Sequence, residues 1–275
     1  DDAGWGFVDW GYVRNEGPSD MGVNLHYCAA LRDMARWCAA LGREREARAH
    51  EKDAETVRAI LDRWFAAQRR EGKPDWERIG YHRAVLGMRL GFFTGEETAG
   101  GIAHVKRHML DCFPNTPDAP RLTDPGNAQP RLITPYFAHF AMPLLAEHGE
   151  TDFMLDQFRA CWGWMLGEGR TTWVEVFDTR WSHCHQWAGC PTWQLSRYVL
   201  GLAPRMDLGP NHFLWTWNAG SLDACSGEIP IPGHPDSACI QVSWERKGEE
   251  TLQYTLTTPA PLTLHLPGLD REIAV

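Results

Sequence analysis

From about Asp20 onward, apolar and polar residues alternate along the chain with helical spacing. Leu25, Cys28, Leu31, Met34, Ala35, Cys38 and Leu41 recur every three or four residues until Gly42 interrupts them, which predicts an amphipathic helix closed by a glycine cap. A second helix is expected to turn Ala54, Val57, Ile60, Leu61, Trp64 and Phe65 inward and to keep Glu51, Lys52, Glu55 and Arg58 in water. A loop with Gly72 and Pro74 leads to a third helix over about 79–93, and Glu96-Glu97 opens a fourth reaching about 112. The run 133–147 is apolar almost all round, with Pro135 near its start and Pro143 inside. A helix of that kind must be covered on every side and belongs to an inner layer. Thr151-Asp152 begins a sixth helix to about 166, and Pro191 suits the first turn of a seventh ending at Gly201.

After Pro204 the period changes. Ile240, Val242 and Trp244, then Leu252, Tyr254 and Leu256, then Leu262, Leu264 and Leu266 alternate with polar neighbours, the pattern of antiparallel strands with one wet face. The reading is mainly α: a helical portion over 1–205 and a small antiparallel β-sandwich over 206–275. Helices in consecutive pairs, a more apolar member followed by a more charged one, suit an α/α toroid. No repeat of fixed period supports a solenoid. About seven helices are predicted, so the barrel is incomplete.

Composition narrows the function. A formal net charge of -9 in 275 residues, with basic residues interleaved with acids as in Arg43-Glu44-Arg45-Glu46, argues against a nucleic-acid partner. No apolar run approaches a membrane span, and no leader-like segment opens the chain. The eight cysteines form no C-x-x-C pair and several fall on apolar helix faces, so reduced thiols and a cytoplasmic location are expected, a periplasmic or secreted one being open if a leader has been removed. No phosphate loop, nucleophile elbow or cofactor fingerprint is present, and no cofactor is expected.

The candidate chemistry lies in Thr171-Thr172-Trp173-Val174-Glu175-Val176-Phe177-Asp178, with Ser182-His183-Cys184-His185-Gln186-Trp187 just after it. Carboxylates, imidazoles and indoles concentrated in a loop suit holding and hydrolysing a sugar. Glu175 sits between Trp173 and Phe177, whose rings would hinder hydration of its carboxyl group and favour acid–base work; the bland alternative is an ion pair with Arg170 or Arg180. Asp178 reads as a loop cap, whereas Asp9 is a cap or a pocket liner. The His183, Cys184, His185 and Cys190 group lacks a zinc-binding frame, so no metal is expected, and one histidine is assigned to a ligand hydroxyl. Fourteen tryptophans are many for this length, and those in loops, Trp10, Trp173 and Trp187 among them, are candidate stacking platforms. The segment 113–130, with five prolines, is too long for a plain connector.

The run 171–178, the Ser182-x-x-His185 step, the helix from Pro191-Thr192-Trp193, Ile133-Thr134-Pro135-Tyr136-Phe137 and the early Phe7-Val8-Asp9-Trp10 resemble the C-terminal part of bacterial α-L-rhamnosidases of glycoside hydrolase family 78. The resemblance implies an (α/α)6 barrel followed by a β-sandwich, and inverting hydrolysis of terminal α-L-rhamnosides. By motif position it implies Glu175 as general base, His185 as a sugar-binding histidine and Asp9-Trp10 as a pair lining the rhamnose pocket. The family's acid motif, of the type Asp-Glu-x-x-Gly-Trp-x-Gly-Asp, should precede Asp9 and is absent from this chain. The expected partners are therefore a rhamnose-containing oligosaccharide or glycoside and the missing N-terminal segment of the same enzyme. A non-catalytic carbohydrate-binding or assembly module, or another α/α-barrel glycosidase or polysaccharide lyase, is the competing reading.

Overall fold

The computed structural model describes residues 7–12, 20–123, 130–234, 238–248, 251–266 and 271–274. Parts of the Gly- and Trp-rich opening, Trp5 included, and the centre of the proline-rich segment lie outside these. The chain divides into two compact units, Asp1–Leu144 with Ala160–Ala188, and Leu145–Arg159 with Gly189–Val275.

In the first unit α1 (Met21–Ala40) begins at Asp20, whose carboxylate accepts from Val23 N at 3.0 Å and from the Tyr12 hydroxyl at 2.8 Å. It ends as Gly42 predicts. Gly42 adopts a φ of 71°, and the N–H groups of Gly42 and Arg43 reach back to Ala39 O and Cys38 O, closing the orphan carbonyls of the last turn. A short turn leads to α2 (Glu44–Ala67), which packs along α1. Leu25, Cys28 and Leu31 of α1 are buried, as are Leu61 and Phe65 of α2, and Cys28 Sγ lies 3.8 Å from Ala54 O of the facing helix. Met34, Leu41 and Ile60 depart from the expected inward face and are exposed. They sit at the margins of their stripes, where a spacing of three or four drifts off the buried seam.

A two-residue hairpin, β1 (Arg69–Arg70) with β2 (Lys73–Pro74), precedes the short α3 (Trp76–Ile79) and α4 (Tyr81–Arg89). The predicted third helix is thus broken at Gly80, whose φ of 77° no helix accepts. Next come α5 (Glu96–Leu110) and α6 (Ala138–Glu147). In α6 every residue from Ala141 to Ala146 is buried and the first three are buried or half-buried, matching the all-round apolar pattern. It starts later than predicted because Thr134 and Pro135 form a turn, with the Thr134 hydroxyl accepting from Phe137 N at 3.0 Å.

Burial also tunes this unit's histidines. His108 lies in α5 with its ring stacked at 4.3 Å on Tyr81, and its pKa is lowered to about 4 by burial, with the nearby His82 adding to the effect. A free histidine titrates near 6.5, so between about pH 6.5 and about 4 the unfolded chain binds the extra proton. Stability from this group is complete above that window and falls as pH drops through it, by up to about 3 kcal/mol. Urea midpoints at pH 7 and pH 4.5 should therefore differ less in His108→Gln than in the parent, and an equal difference would refute the assignment.

The helix over Thr151–Gln157 (α7) continues through a π-helical stretch, Phe158–Trp162, into α8 (Gly163–Gly167), and α9 (Cys190–Gln194) likewise continues as π-helix over Leu195–Leu200. Gly201 ends the latter at a φ of 90°, where a Cβ would stand 2.3 Å from Thr216 O. Two sheets follow. One has the order β3 (Leu202–Pro204), β4 (His212–Trp215), β8 (Thr263–Leu266), β9 (Arg271–Ala274), and the other the order β5 (Ala224–Pro230), β6 (Cys239–Arg246), β7 (Leu252–Thr257). Phe213, Leu264 and Leu266 from the first share a core with Ile229, Ile240 and Val242 from the second. The antiparallel expectation fails at one place: β4 and β8 pair in parallel, Phe213 opposite Leu264. The second sheet intervenes between them in sequence, so a long connection joins them and no hairpin fixes their direction. Among the described residues no helix is long and apolar enough to cross a membrane, and all eight cysteines are free thiols.

Candidate active site

The stretch 171–188 is irregular but tightly tied. Val174 and Val176 point into the core and Phe177 packs edge-on against Trp162 with ring centres 5.6 Å apart. Glu175 N donates to Ser182 O and His185 N to Trp173 O, each at 2.9 Å, and the Thr172 hydroxyl donates to His183 O. These bonds bring His185 beside Glu175 across a ten-residue excursion. Trp181 Nε1 and Arg180 Nη2 both donate to Leu122 O, which fastens the excursion to the proline-rich segment.

Glu175 is held by neither candidate arginine. Trp10 Nε1 donates to its Oε1 at 3.2 Å, and His185 Nδ1 stands 3.7 Å from its Oε2. The Glu175 side chain is only 16% exposed. Arg180 instead grips Asp178, whose pKa falls below the usual carboxylate range because the Arg180 hydrogen bonds outweigh the opposing effect of burial, and Arg170 faces His183. An aromatic wall adjoins Glu175. The Trp187 ring lies 4.3 Å from the His185 ring, 4.9 Å from Tyr136 and parallel to Phe7, while Phe7 meets Trp10 edge-on at 5.1 Å. His185 Nδ1 and Trp187 Nε1 are enclosed with no hydrogen-bond partner among the described residues.

Asp9 takes a different position from its neighbour. Its side chain is wholly buried, with His82 Nε2 at 2.7 Å from Oδ2 and the Thr134 hydroxyl donating to Oδ1 at 2.7 Å. Expected as a pocket liner, it fastens the loop beneath Trp10 and offers no surface to a ligand. Trp173 joins the cluster through its carbonyl. Among the described residues no group of three or more His, Cys, Asp or Glu side chains is arranged around a metal site: His183 turns to Thr179 O at 2.6 Å, and Cys190 is buried.

The fold resembles part of a GH78 family rhamnosidase. The structure compared is that of the enzyme from Bacillus sp. GL1, with a TM-score of 0.67 and 22% sequence identity over 97% of this chain and 28% of that one. The likeness at this identity is one of fold, and the chain spans only about 28% of the length of the enzyme it matches. No family model and no curated protein matches the sequence.

Three parts of the site carry no candidate role in the sequence: Tyr136, His139 and the pair His82–Thr134. His139 Nε2 lies 2.7 Å from Trp187 O and positions the wall from behind. Tyr136 and Thr134 fall in the Ile133–Phe137 run already noted for its resemblance, which was the available signal. A cavity of about 510 Å³ elsewhere in this unit is lined by Tyr12, Arg83, His104, Arg107, His108 and Arg131 among others, and does not include Glu175; Arg107 is paired there with Glu77 at 2.8 Å.

Proposed function

We propose that the chain carries the general-base half of a glycosidase site that releases terminal α-L-rhamnose with inversion. The observation behind this is the Glu175 carboxylate, held by the Trp10 indole N–H and flanked by His185, with no arginine or lysine among the described residues to neutralise it. The indole N–H takes up one acceptor position of Oε1 and leaves the remaining lone pairs of the carboxyl group to meet a water molecule. The aromatic wall suits the C–H face of a deoxy sugar. In an inverting reaction the acid stands roughly 6.5–9.5 Å from the base, leaving room for the water.

That acid comes from outside the described residues, since Asp9 and Asp178 are both fully engaged. The exposed face of α1 supports a further helical segment of the same enzyme. Tyr27, Met34, Trp37 and Leu41, spaced by seven, three and four residues, are exposed by 51%, 42%, 69% and 66%, an apolar stripe beside the buried one. With that segment the helices would form an (α/α)6 barrel ahead of a β-sandwich. The absence of a second available carboxylate near Glu175 among the described residues favours one alternative, a non-catalytic module that binds rhamnose on the same wall.

An aryl α-L-rhamnopyranoside followed by proton NMR, with the assembled enzyme that includes the acid-bearing segment, separates the two. The expected first product is β-L-rhamnose, which then mutarotates. Initial release of the α-anomer would overturn the inverting reading. Saturation transfer from protein to rhamnose without hydrolysis would establish the binding module, and neither signal would remove both.

A further inference from the structure

We propose a second sugar-binding site, in the sheet unit, on a groove whose central platform is Trp217. The groove encloses about 610 Å³ and is lined by Trp215, Trp217, Asn218, Arg246, Thr251 and Tyr254 among others, a size usual for small-ligand sites. Its aromatic part is ordered by edge contacts. Trp215 meets Trp217 at 5.8 Å with their planes 72° apart, and meets Tyr254 at 5.0 Å and 80°. Trp217 is therefore fixed by its neighbour while half of its surface stays open to solvent.

The polar part is equally fixed. Asn218 Nδ2 donates to Ala146 O at 2.9 Å, while its side-chain oxygen has no partner among the described residues. The Arg246 guanidinium is held by Gly220 O at 2.6 Å and Leu222 O at 3.1 Å. A half-open indole beside a positioned amide, a guanidinium and a threonine matches a molecule with one apolar face and a hydroxylated edge. A pyranose has that form: its axial C–H groups stack on the indole while its hydroxyls meet the amide and the guanidinium. A purely apolar ligand would leave this rim unused, and a phosphorylated one would call for more than a single arginine.

The groove lies wholly in the second unit and contains no residue of the Glu175 cluster, so its test is built to be independent of that cluster. Native electrophoresis is run through gels containing soluble rhamnogalacturonan, xylan or galactomannan, using Trp10→Ala protein so that the first aromatic wall is weakened. Retardation by at least one polysaccharide is expected to persist in this background, and to weaken about tenfold when Trp217→Ala is added, since losing one stacking platform costs on the order of 1–2 kcal/mol. Trp217→Tyr should restore most of it. Asn218→Ala, which leaves the rings in place, should also weaken retardation and guards against a misfolded Trp217 variant. Equal retardation with and without Trp217, or none in any gel, overturns the proposal. The Glu175 reading fails separately, if Trp10→Ala has no effect on rhamnoside binding or hydrolysis.

Discussion

Glu175→Gln, in the assembled active enzyme, is expected to lower kcat for rhamnoside hydrolysis by at least ~100-fold. Glutamine keeps the shape of the side chain, and its amide oxygen can still accept the Trp10 N–H that lies 3.2 Å from the native carboxylate. What disappears is the basic oxygen that takes the proton from water. KM should change far less, because the Trp187 and Phe7 rings and the His185 imidazole remain where they are. Azide needs no deprotonation, so adding it should restore part of the turnover and give a glycosyl azide of inverted configuration. Near-normal hydrolysis by the variant would end the general-base assignment. Asp178 would be a poor replacement, since Arg180 already occupies both of its oxygens.

The second large effect concerns stability. Asp9→Ala should cost about 3 kcal/mol or more in urea unfolding, because it leaves the His82 ring nitrogen and the Thr134 hydroxyl buried without the partner each now meets at 2.7 Å. Asp9→Asn retains one acceptor and the volume, and should lose less. Trp10 is the next residue and touches Glu175, so any activity that depends on Glu175 should fall in Asp9→Ala even where the protein is still folded. A loss below about 1 kcal/mol for Asp9→Ala would show that the buried network contributes nothing beyond its packing.

Much of this was legible in residue patterns, and the illegible parts share a cause. The inward faces of α1 and α2 follow largely from three- and four-residue spacing, the enclosure of α6 from its all-round apolar run, and the wet and dry faces of β6 and β7 from alternation. Glu175 stood out because its neighbours are aromatic. Its partner Trp10 lies 165 residues away and Asp9's partner His82 lies 73 away, and nothing local distinguishes an aspartate bound for the core from one bound for a ligand. Alternation sets which way the side chains of β8 face but not the direction of the strand beside it, so the parallel pairing with β4 was hidden. The π-helical stretches at Phe158–Trp162 and Leu195–Leu200 widen a turn by a fraction of a residue, which a helical spacing rule absorbs without notice.

The path of the chain between its two compact units bears on how such a protein could change over generations. The backbone passes from one unit to the other after Leu144, after Arg159 and again after Ala188, and the sheet unit takes in helical residues on the way: Trp244 Nε1 bonds to Val199 O at 2.9 Å and Leu200 lies in the core between the sheets. A single crossover in the coding sequence near residue 205 would therefore separate Ile229, Ile240 and Val242 from Leu200, which shares their core. The sheet unit cannot be traded as a cassette by one recombination event, and it is inherited together with the loop that carries Glu175.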